Sequence, residues 1–555
     1  MSRRRWSGPA RVDRRGVGGA ARGGLTMGGG LARRRRRGSW RARWRPRAPS
    51  VRAFIASMPR YSITTFGCQM NVHDSERMHD VLRCAGYTEA GSADEADVLV
   101  LNTCSVREKA EQKLRSEVGR LARWKRERAD RVLVVAGCVA QQEGERLLKQ
   151  MRAIDVVVGP DNIPELPGLL GDLAIGGLPI ARTVFDLDAP RFLVASPPSP
   201  SSSSSPRAAP TAFVTVMKGC DERCSFCIVP HTRGPERYRP SDEIVAEIAA
   251  LVAAGTREVT LLGQTVNSYR DPLGALPRAP GASADDPDES EFAALLRRVA
   301  ADVPGLARLR YTSPHPRHLT PSLVLAHAEL PVLPRHVHMP VQSGSDRVLR
   351  RMIRRYTRAE YVARTRALVE AVPGLTLSTD IIVGFPGETE DDFAATLSLV
   401  REVGFKGLFG FKYSRRPHTP ALKLPDDVPE GVKGERLARL FEESEALLAA
   451  HLSALVGTTQ EVLVEGRDKE RGHGGAGGAL WSGRTGRHEI AHIDGAGELD
   501  LLGEVVEVSI ARANKHSLQA ELTEAARAAA RPRQRGGLEP RPARRSLPVV
   551  AAEGG

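Results

Sequence analysis

Three of the seven cysteines stand close together in a spacing that suits an iron–sulfur cluster. Cys220, Cys224 and Cys227, here called the loop set, form a C-x3-C-x2-C segment directly after a predicted strand. Three thiolates on one tight loop hold three irons of a [4Fe-4S] cube and leave the fourth iron open to a ligand. A zinc site completed by His231 is the other metal site that fits these residues. Zinc sites more often have two separated C-x2-C pairs, and this sequence has no second pair, so the spacing favours the cluster.

A second set of three cysteines, here called the strand-end set, follows three predicted strands. Its members are Cys68 after strand 61–66, Cys104 after strand 97–101 and Cys138 after strand 131–135. The carboxyl ends of parallel strands share one edge of a sheet, where ligands bind, and the following helices direct positive dipole ends there. Three cysteines packed as small apolar residues are the alternative. Cys84 lacks this context and is interpreted as a packing residue.

Alternating strands and helices predict the elements that position both sets. Apolar strands separated by amphipathic helices predict, before residue 195, a parallel α/β sheet covered on both faces. Six strand–helix repeats follow and predict a partial (β/α)6 barrel, since a complete barrel needs eight. Short β-rich runs between Gly-rich turns at 457–521 predict a small β-barrel. The strands predicted for the partial barrel are 212–217, 258–262, 308–312, 335–340, 376–383 and 407–413.

The length of 555 residues suggests three or four folded units. The net charge of +15 does not describe the folded part of the chain. Residues 1–57 hold 17 arginines and one aspartate, so the net charge of the remaining residues is −1. Bulk charge therefore does not argue for nucleic-acid binding by the folded part. The predicted segments are an Arg-rich disordered extension at 1–57, an N-terminal domain at 58–195, a Pro/Ser linker at 196–210, a central domain at 211–455, a small barrel at 456–523 and a disordered tail at 524–555.

Several protein classes are excluded by composition. No apolar run reaches the roughly 18 residues of a membrane span. An odd number of cysteines without a secretory segment argues against a disulfide framework and for reduced thiols in the cytoplasm. The Arg-rich start fits either an organellar transit peptide or a disordered extension upstream of Met58.

Around the loop set the sequence resembles the radical S-adenosylmethionine (SAM) enzymes, which have an aromatic residue, here Phe226, before the last cysteine. The strand-end set and a terminal barrel similar to the TRAM module narrow the likeness to methylthiotransferases, in the branch that modifies prenylated adenosine in tRNA. Tyr238 stands where that family tends to have serine, and the linker and the loop 271–290 are longer than expected. The likeness covers roughly residues 60–522, with its marks at 66–71 (FGCQMN), 102–110 (NTCSVREKA), 224–230 (CSFCIVP), 262–269 (LGQTVNSY), 341–346 (VQSGSD) and 380–389 (DIIVGFPGET).

The resemblance implies two [4Fe-4S] clusters and SAM as cofactors. The strand-end set would hold an auxiliary cluster that carries the sulfur, which one SAM methylates. A second SAM, at the cluster of the loop set, would be cleaved to a 5′-deoxyadenosyl radical that takes hydrogen from C2 of the adenine. The implied product is a methylthio group at C2 of N6-(dimethylallyl)adenosine at position 37 of tRNA. The cofactor carries this chemistry, and the protein positions it.

The resemblance also implies cofactor contacts outside the cysteines. Gly263 and Gln264 would bind the methionine end of SAM, while Ser378, Asp380 and the turn 384–387 would meet its ribose and adenine. Ordinary strand-end and turn chemistry explains each of these residues equally well. Glu388 fits a cap of the following helix.

The resemblance implies three partners: the anticodon arm of a tRNA carrying a prenylated adenosine, an electron donor and a sulfur donor. It also implies that the chain is a monomer and does not associate with a membrane. The TRAM-like barrel has a Gly-Arg-Thr element at 481–485, with Arg512 and Lys515 near its end, and small barrels bind single-stranded loops. A long basic helix at 105–127 is either a second RNA contact or an ordinary solvated face. The alternatives are a methylthiotransferase for threonylcarbamoyladenosine in tRNA or for a ribosomal protein, and a non-catalytic, zinc-stabilised RNA-binding protein.

Overall fold

The computed structural model describes residues 58–105, 108–188, 190–194, 209–277, 286, 288–467, 481–496 and 498–532. The predicted extension 1–57 and most of the predicted linker and tail lie outside these ranges.

A parallel sheet covered by helices on both faces forms the first region. Its strands are β1 (Arg60–Phe66), β2 (Thr88–Glu89), β3 (Val98–Thr103), β4 (Val132–Gly137), β5 (Val156–Val158) and β6 (Ile180–Arg182). Its helices are α1 (Gln69–Cys84), α2 (Glu108–Glu127), α3 (Cys138–Glu143), α4 (Glu145–Gln150) and α5 (Leu166–Ala174). The strands lie in the order β2-β1-β3-β4-β5-β6. Val98 and Val100 enter one apolar layer and Leu99 and Leu101 the other, which confirms the predicted burial of both faces.

The central region contains the six predicted strands. Its strands are β7 (Thr211–Thr215), β8 (Met217–Lys218), β9 (Arg237–Tyr238), β10 (Glu258–Leu262), β11 (Arg308–Tyr311), β12 (His336–His338), β13 (Thr376–Val383) and β14 (Gly407–Lys412). Its helices are α6 (Val229–Arg233), α7 (Ser241–Ala253), α8 (Glu291–Asp302), α9 (Pro321–Glu329), α10 (Asp346–Arg351), α11 (Arg358–Ala371), α12 (Glu390–Val403) and α13 (Glu430–Ser453). β8 and β9 form a short antiparallel pair, and the other six strands form two parallel sheets, β7-β10-β11 and β12-β13-β14. The prediction of a partial barrel with six strands is confirmed.

The two faces of these strands have different surroundings. Val337, Leu377 and Leu408 belong to the large apolar core that the outer helices share. Because side chains alternate along a strand, the next residues lie on the opposite face, toward the lumen of the partial barrel. The paired register of β12, β13 and β14 places four residues on this lumen face: His338, Ser378, Asp380 and Phe409.

A closed five-stranded barrel ends the folded chain. Its strands are β15 (Thr459–Arg467), β16 (Trp481–Thr485), β17 (Ile490–Asp494), β18 (Val505–Ala513) and β19 (Leu518–Leu522). They close in the order β15-β16-β17-β19-β18. The small barrel is confirmed. The β-rich runs that predicted it, 461–465, 488–492 and 504–511, correspond to β15, β17 and β18, whereas β16 and β19 were not predicted. Strand β16 contains Gly483, a residue type that local patterns associate with turns. Glycine is required there because a Cβ would lie 2.1 Å from the carbonyl oxygen of Leu463.

The prediction that the chain is disordered from Glu524 onward is wrong for its first residues. Glu524–Ala529 form a helix, α14, whose first turn is capped by the Thr523 hydroxyl, which accepts from the Ala526 amide. Ala526 and Ala530 pack on the apolar core of the barrel. The helix cap and these contacts belong to a segment whose composition alone suggests disorder.

The helices in the described part of the chain are all too short or too polar to cross a membrane.

Candidate active site

The strand-end set lies at one edge of the first sheet. β1, β3 and β4 are neighbours, and they end in register: Phe66 pairs with Thr103, and Thr103 pairs with Gly137. The residues that follow these ends are therefore adjacent across three strands. Cys104 and Cys138 are buried and Cys68 is half-buried, so the structure brings together the three cysteines that the sequence selected.

Two glycines allow this close approach. A Cβ on Gly67 would lie 2.4 Å from the Cβ of Cys104, and a Cβ on Gly137 would lie 2.7 Å from the carbonyl oxygen of Thr103. Both glycines also have positive φ, +143° and +92°, which L side chains rarely adopt. The Gly-Cys pairs of the sequence are therefore a steric requirement for gathering the thiols.

A buried amide pair fixes the loops that carry the first two thiols. The Asn71 side chain donates to the side-chain oxygen of Asn102 at 3.1 Å, and the Asn102 amide donates to the backbone carbonyl of Asn71 at 2.7 Å. The Cys68 thiol donates to Asn71 Oδ1 at 3.3 Å. Both asparagines are fully buried. Neither asparagine was predicted to have a role; each lies within three residues of a strand-end cysteine, and this proximity was the signal in the sequence.

The thiols of this set differ in their pKa: local hydrogen bonds favour the thiolate of Cys68, whereas burial favours the neutral thiol of Cys138. Cys68 is the N-cap of α1, and Cys138 is the first residue of α3. A hydrogen bond with Cys104 and the amides of the first turn of α1 outweigh burial and lower the pKa of Cys68 to about 6. Burial raises the pKa of Cys138.

The prediction that Cys84 is a packing residue is wrong. Cys84 is the last residue of α1, and it is exposed. The register of α1 puts Met78 and Leu82 into the core instead.

The loop set lies in the segment that connects β8 to β9, and the two ends of this segment are held together. The Cys220 amide donates to the Gly234 carbonyl at 3.1 Å, and Gly219, with φ +77°, packs so tightly that a Cβ there would lie 1.9 Å from the Pro235 carbonyl oxygen. The Cys220 sulfur lies 3.0 Å from the Thr265 hydroxyl. Burial raises the pKa of Cys220 to about 11 and that of Cys227 to about 12. Buried thiols of this kind become thiolates on binding a metal.

The far side of the loop rests on a second apolar cluster. Phe226 packs on this cluster, which includes Met352, Phe385 and Tyr413. Phe385 is fully buried, and its ring meets the Tyr413 ring edge-on at 5.1 Å. The turn 384–387 was predicted to contact SAM. Its Phe385 side chain instead lies in the apolar cluster on which the loop set packs.

His231, the residue that would complete a zinc site at the loop set, is directed elsewhere. Its ring lies beside the ring of His418, with the ring centroids 5.5 Å apart. Among the described residues, the group whose three ligand atoms lie within 4.8 Å of one another is Glu222, His315 and His318, which contains neither His231 nor a cysteine. The geometry therefore does not favour the zinc alternative.

Buried polar atoms without partners lie where the sequence placed the SAM contacts. Both side-chain amide atoms of Gln264 are buried without a hydrogen-bond partner, as is Nε2 of His315. A buried polar group is costly to leave unpaired, so these atoms fit a polar ligand such as the methionine end of SAM. Gly263 packs against Met217, where a Cβ would lie 2.6 Å from Met217 Cγ. Sequence analysis missed His315, which follows the third strand of the partial barrel.

Ser378 and Asp380 lie in a polar chain on the lumen face. The Ser378 hydroxyl is 3.0 Å from His336 Nε2 and 2.9 Å from His338 Nδ1, and His338 Nε2 is 3.3 Å from Asp380 Oδ1. Burial lowers the pKa of His336. The predicted contacts are thus held in place by two histidines that sequence analysis did not select.

Two aromatic rings remain exposed on the same face. Phe409 and Phe411 alternate along β14 and keep 36% and 37% of their surface exposed. The opposite side of that strand packs on α13, since a Cβ on Gly410 would lie 2.8 Å from Leu437. The Phe409 ring meets the His338 ring edge-on at 5.7 Å. An exposed aromatic pair in a concave lumen is suited to stack on a planar, apolar ligand.

The prediction that Glu388 caps the following helix is wrong. Thr389 is the N-cap of α12, in a capping box with Asp392. Glu388 instead accepts from the Gly384 amide at 2.6 Å and from Arg436 at 2.9 Å. Burial raises its pKa to about 7, against the effect of both donors.

The predicted RNA contacts divide into two groups. Several cations of the basic helix and its end pair with carboxylates: Arg115 with Glu111, Arg120 with Glu117, Lys125 with Asp155, and Arg128 with Asp97. This pairing favours the solvated-face interpretation of α2. The Gly-Arg-Thr element docks on the partial barrel, because the carbonyls of Arg484 and Thr485 accept from Arg308 and Arg310. Arg512 is exposed, and Lys515 pairs with Glu445 at 2.9 Å.

Family models match each of the three folded regions of the sequence. The sequence matches three family models: the uncharacterized protein family UPF0004 at residues 60–159, the radical SAM superfamily at 214–400 and the TRAM domain at 453–523. Among solved structures, the radical S-adenosylmethionine methyltransferase TsrM from Kitasatospora setae covers 66% of this chain and 74% of its own, with 14% identity and a TM-score of 0.46.

Curated relatives cover most of the chain. The tRNA-2-methylthio-N(6)-dimethylallyladenosine synthase of Bordetella petrii is 43% identical over 84% of this chain and 92% of its own. The protein of the same name from Alkalilimnicola ehrlichii is 44% identical over 83% of this chain and 97% of its own. At 43–44% identity over more than four fifths of its length, and with a radical SAM domain, this chain belongs to the radical SAM methylthiotransferases, in the family of the tRNA-2-methylthio-N(6)-dimethylallyladenosine synthases.

Proposed function

We propose that this chain transfers a methylthio group to C2 of N6-dimethylallyladenosine at position 37 of tRNA. The observation that carries the proposal is the pair of three-cysteine sets: each gathers three thiols and, by cysteine count, leaves one corner of a cube open. Relatives named for this product support the choice of substrate. As a radical SAM enzyme of this family, the chain uses [4Fe-4S] clusters and SAM as cofactors.

Each group of residues has a separate task in this proposal. The strand-end set holds the auxiliary cluster, and the loop set holds the cluster that binds SAM. Bound there, cluster and SAM supply the radical that activates C2 of the adenine. Gln264 binds the methionine end, while His338 orients Ser378 and Asp380 toward the nucleoside end. The electron donor and the sulfur donor are separate partners, and the chain acts as a monomer in the cytoplasm.

The product identity is tested in cells. Nucleosides of tRNA are measured by mass spectrometry in a strain without the gene, then after complementation with wild type or with Cys104→Ala. We expect the 2-methylthio mark on prenylated adenosine to vanish and to return with wild type alone. A mark that persists without the gene would refute the proposal. Loss of a methylthio mark on threonylcarbamoyladenosine or on a ribosomal protein would move the chain to the corresponding alternative.

Phe411 is expected to hold the prenylated base. Phe411→Ala removes a ring that stacks on the adenine or covers its prenyl group, and stacking of this kind is worth about 1–3 kcal/mol per base. We expect the KM for a prenylated anticodon stem-loop to rise about tenfold or more, with kcat little changed. Leu325→Ala, at an exposed position on α9, is the matched control. An unchanged KM in Phe411→Ala would remove this residue from the binding site.

A further inference from the structure

An arginine that closely follows the loop set in the chain contacts the strand-end set. Helix α6 begins two residues after Cys227 and ends at Arg233. Arg233 reaches the first domain, where its Nε donates to the sulfur of Cys138 at 3.3 Å. Its terminal nitrogens donate to the Asp74 carboxylate at 2.5 and 3.4 Å. Arg233 and Asp74 are both buried, with 5% and 6% of their surface exposed.

The backbone around Arg233 is fixed at the same time to both domains. Arg237 donates to the Arg233 carbonyl at 2.6 Å and forms a buried ion pair with Asp161 of the first domain. Lys218, directly before the loop set, pairs with the same Asp161 at 3.2 Å. The loop set, α6 and the edge of the first sheet are therefore tied into one unit.

The loop set has an arginine of its own. Arg354, also buried, donates to the sulfur of Cys224 at 3.4 Å, and its other nitrogens donate to the Tyr356 hydroxyl and the Pro340 carbonyl. Hydrogen bonds to cluster sulfurs and nearby charge set the reduction potential of an iron–sulfur cluster. The Asp74 carboxylate offsets much of the charge of Arg233, so Arg233 is the better placed of the two to fix geometry.

We propose that Arg233 is a positioning residue that fixes the auxiliary cluster, through Cys138 and Asp74, relative to the loop that holds the radical-generating cluster. This inference rests on the proposed function, because it takes both clusters to be present. Two domains that must pass a sulfur to one substrate need a fixed separation between their clusters, since small displacements of reacting groups slow a reaction strongly. A planar guanidinium meets a carboxylate with two donors and a sulfur with a third, which a lysine cannot do.

The test uses the full chain, reconstituted without oxygen, as wild type, Arg233→Met, Arg233→Lys and Asp74→Asn. Iron and sulfide content, the reduction potential of each cluster by EPR titration, and the ratio of 5′-deoxyadenosine to methylthio product are measured. We expect Arg233→Met to retain about eight irons, to have a more negative potential at the auxiliary cluster alone, and to form product about 10- to 100-fold more slowly. Cleavage of SAM continues, so the ratio of 5′-deoxyadenosine to product rises.

The other variants separate position from charge and from folding. Arg233→Lys retains the positive charge, so its auxiliary potential should stay near wild type while the ratio still rises. Asp74→Asn should also raise the ratio. Arg354→Met should shift the potential of the loop-set cluster alone, and Arg120→Met, on the exposed face of α2, should change nothing.

The outcomes are distinguishable. Wild type with a single cluster would overturn the proposed function and this inference together. Wild type with two clusters, but with an unchanged potential and ratio in Arg233→Met, would overturn this inference alone. Loss of about four irons in Arg233→Lys as well as Arg233→Met would assign Arg233 to cluster retention and would also overturn the positioning role.

Discussion

Cys224→Ala is expected to abolish both SAM cleavage and methylthiolation while leaving the auxiliary cluster in place. Two thiolates remain in the loop set, and two do not hold a cube that needs three protein ligands here. The Arg354 guanidinium, which donates to the Cys224 sulfur at 3.4 Å, would then face a methyl group. Iron content should fall from about eight to about four per chain, with no 5′-deoxyadenosine formed.

Matched cysteine variants make this result specific. Cys84→Ala removes an exposed thiol outside both sets and should retain wild-type iron and activity. Cys104→Ala should also retain about four irons, but its remaining cluster is that of the loop set, so 5′-deoxyadenosine still forms without methylthio product. Full iron content in Cys224→Ala, or SAM cleavage by it, would show that the loop set is not the SAM-binding cluster site.

Gly67→Ala is expected to remove the auxiliary cluster without changing any thiol. The new Cβ would lie 2.4 Å from the Cβ of Cys104 and 2.7 Å from Asn71 Oδ1, at a φ of +143°. Cys104 must therefore shift, and both the strain and the overpacking cost stability, together about 3 kcal/mol. We expect about four irons per chain, a lower unfolding temperature, continued SAM cleavage and no methylthio product.

Gly119→Ala is the matched control for this glycine. A Cβ at Gly119, within α2, meets nothing within 4 Å, and alanine favours a helix over glycine by about 0.5–1 kcal/mol. This variant should be slightly more stable than wild type, with full iron content and activity. An auxiliary cluster of normal occupancy in Gly67→Ala would show that the sheet edge tolerates a wider spacing of its thiols than the structure indicates.

Periodicity and turn residues predicted most of the fold. Strands β1, β3 and β4 of the first sheet and the six strands of the partial barrel were foreseen within a few residues, because apolar runs and Gly or Pro punctuation determine such elements locally. The other three strands of the first sheet, each two or three residues long, were not predicted. Local patterns failed where tertiary contact decides. Strand β16 was not predicted because it contains Gly483, a residue type typical of turns. The helix at Glu524–Ala529 was not predicted because its packing contact, between Ala526 and the barrel core, is tertiary.

The sequence by itself determined which residues are the candidates for the chemistry of this protein. Cysteine spacing after a strand, and cysteines at three strand ends, predict soft metal ligands and predict where they lie, since parallel strands must share an edge. Tertiary structure decided what surrounds those ligands: the Asn71–Asn102 pair, the unpaired amide of Gln264, and Arg233 on the sulfur of Cys138. The Asn71–Asn102 and Arg233–Cys138 contacts join residues 31 and 95 positions apart, and no local pattern encodes which distant side chains will meet once two domains pack together.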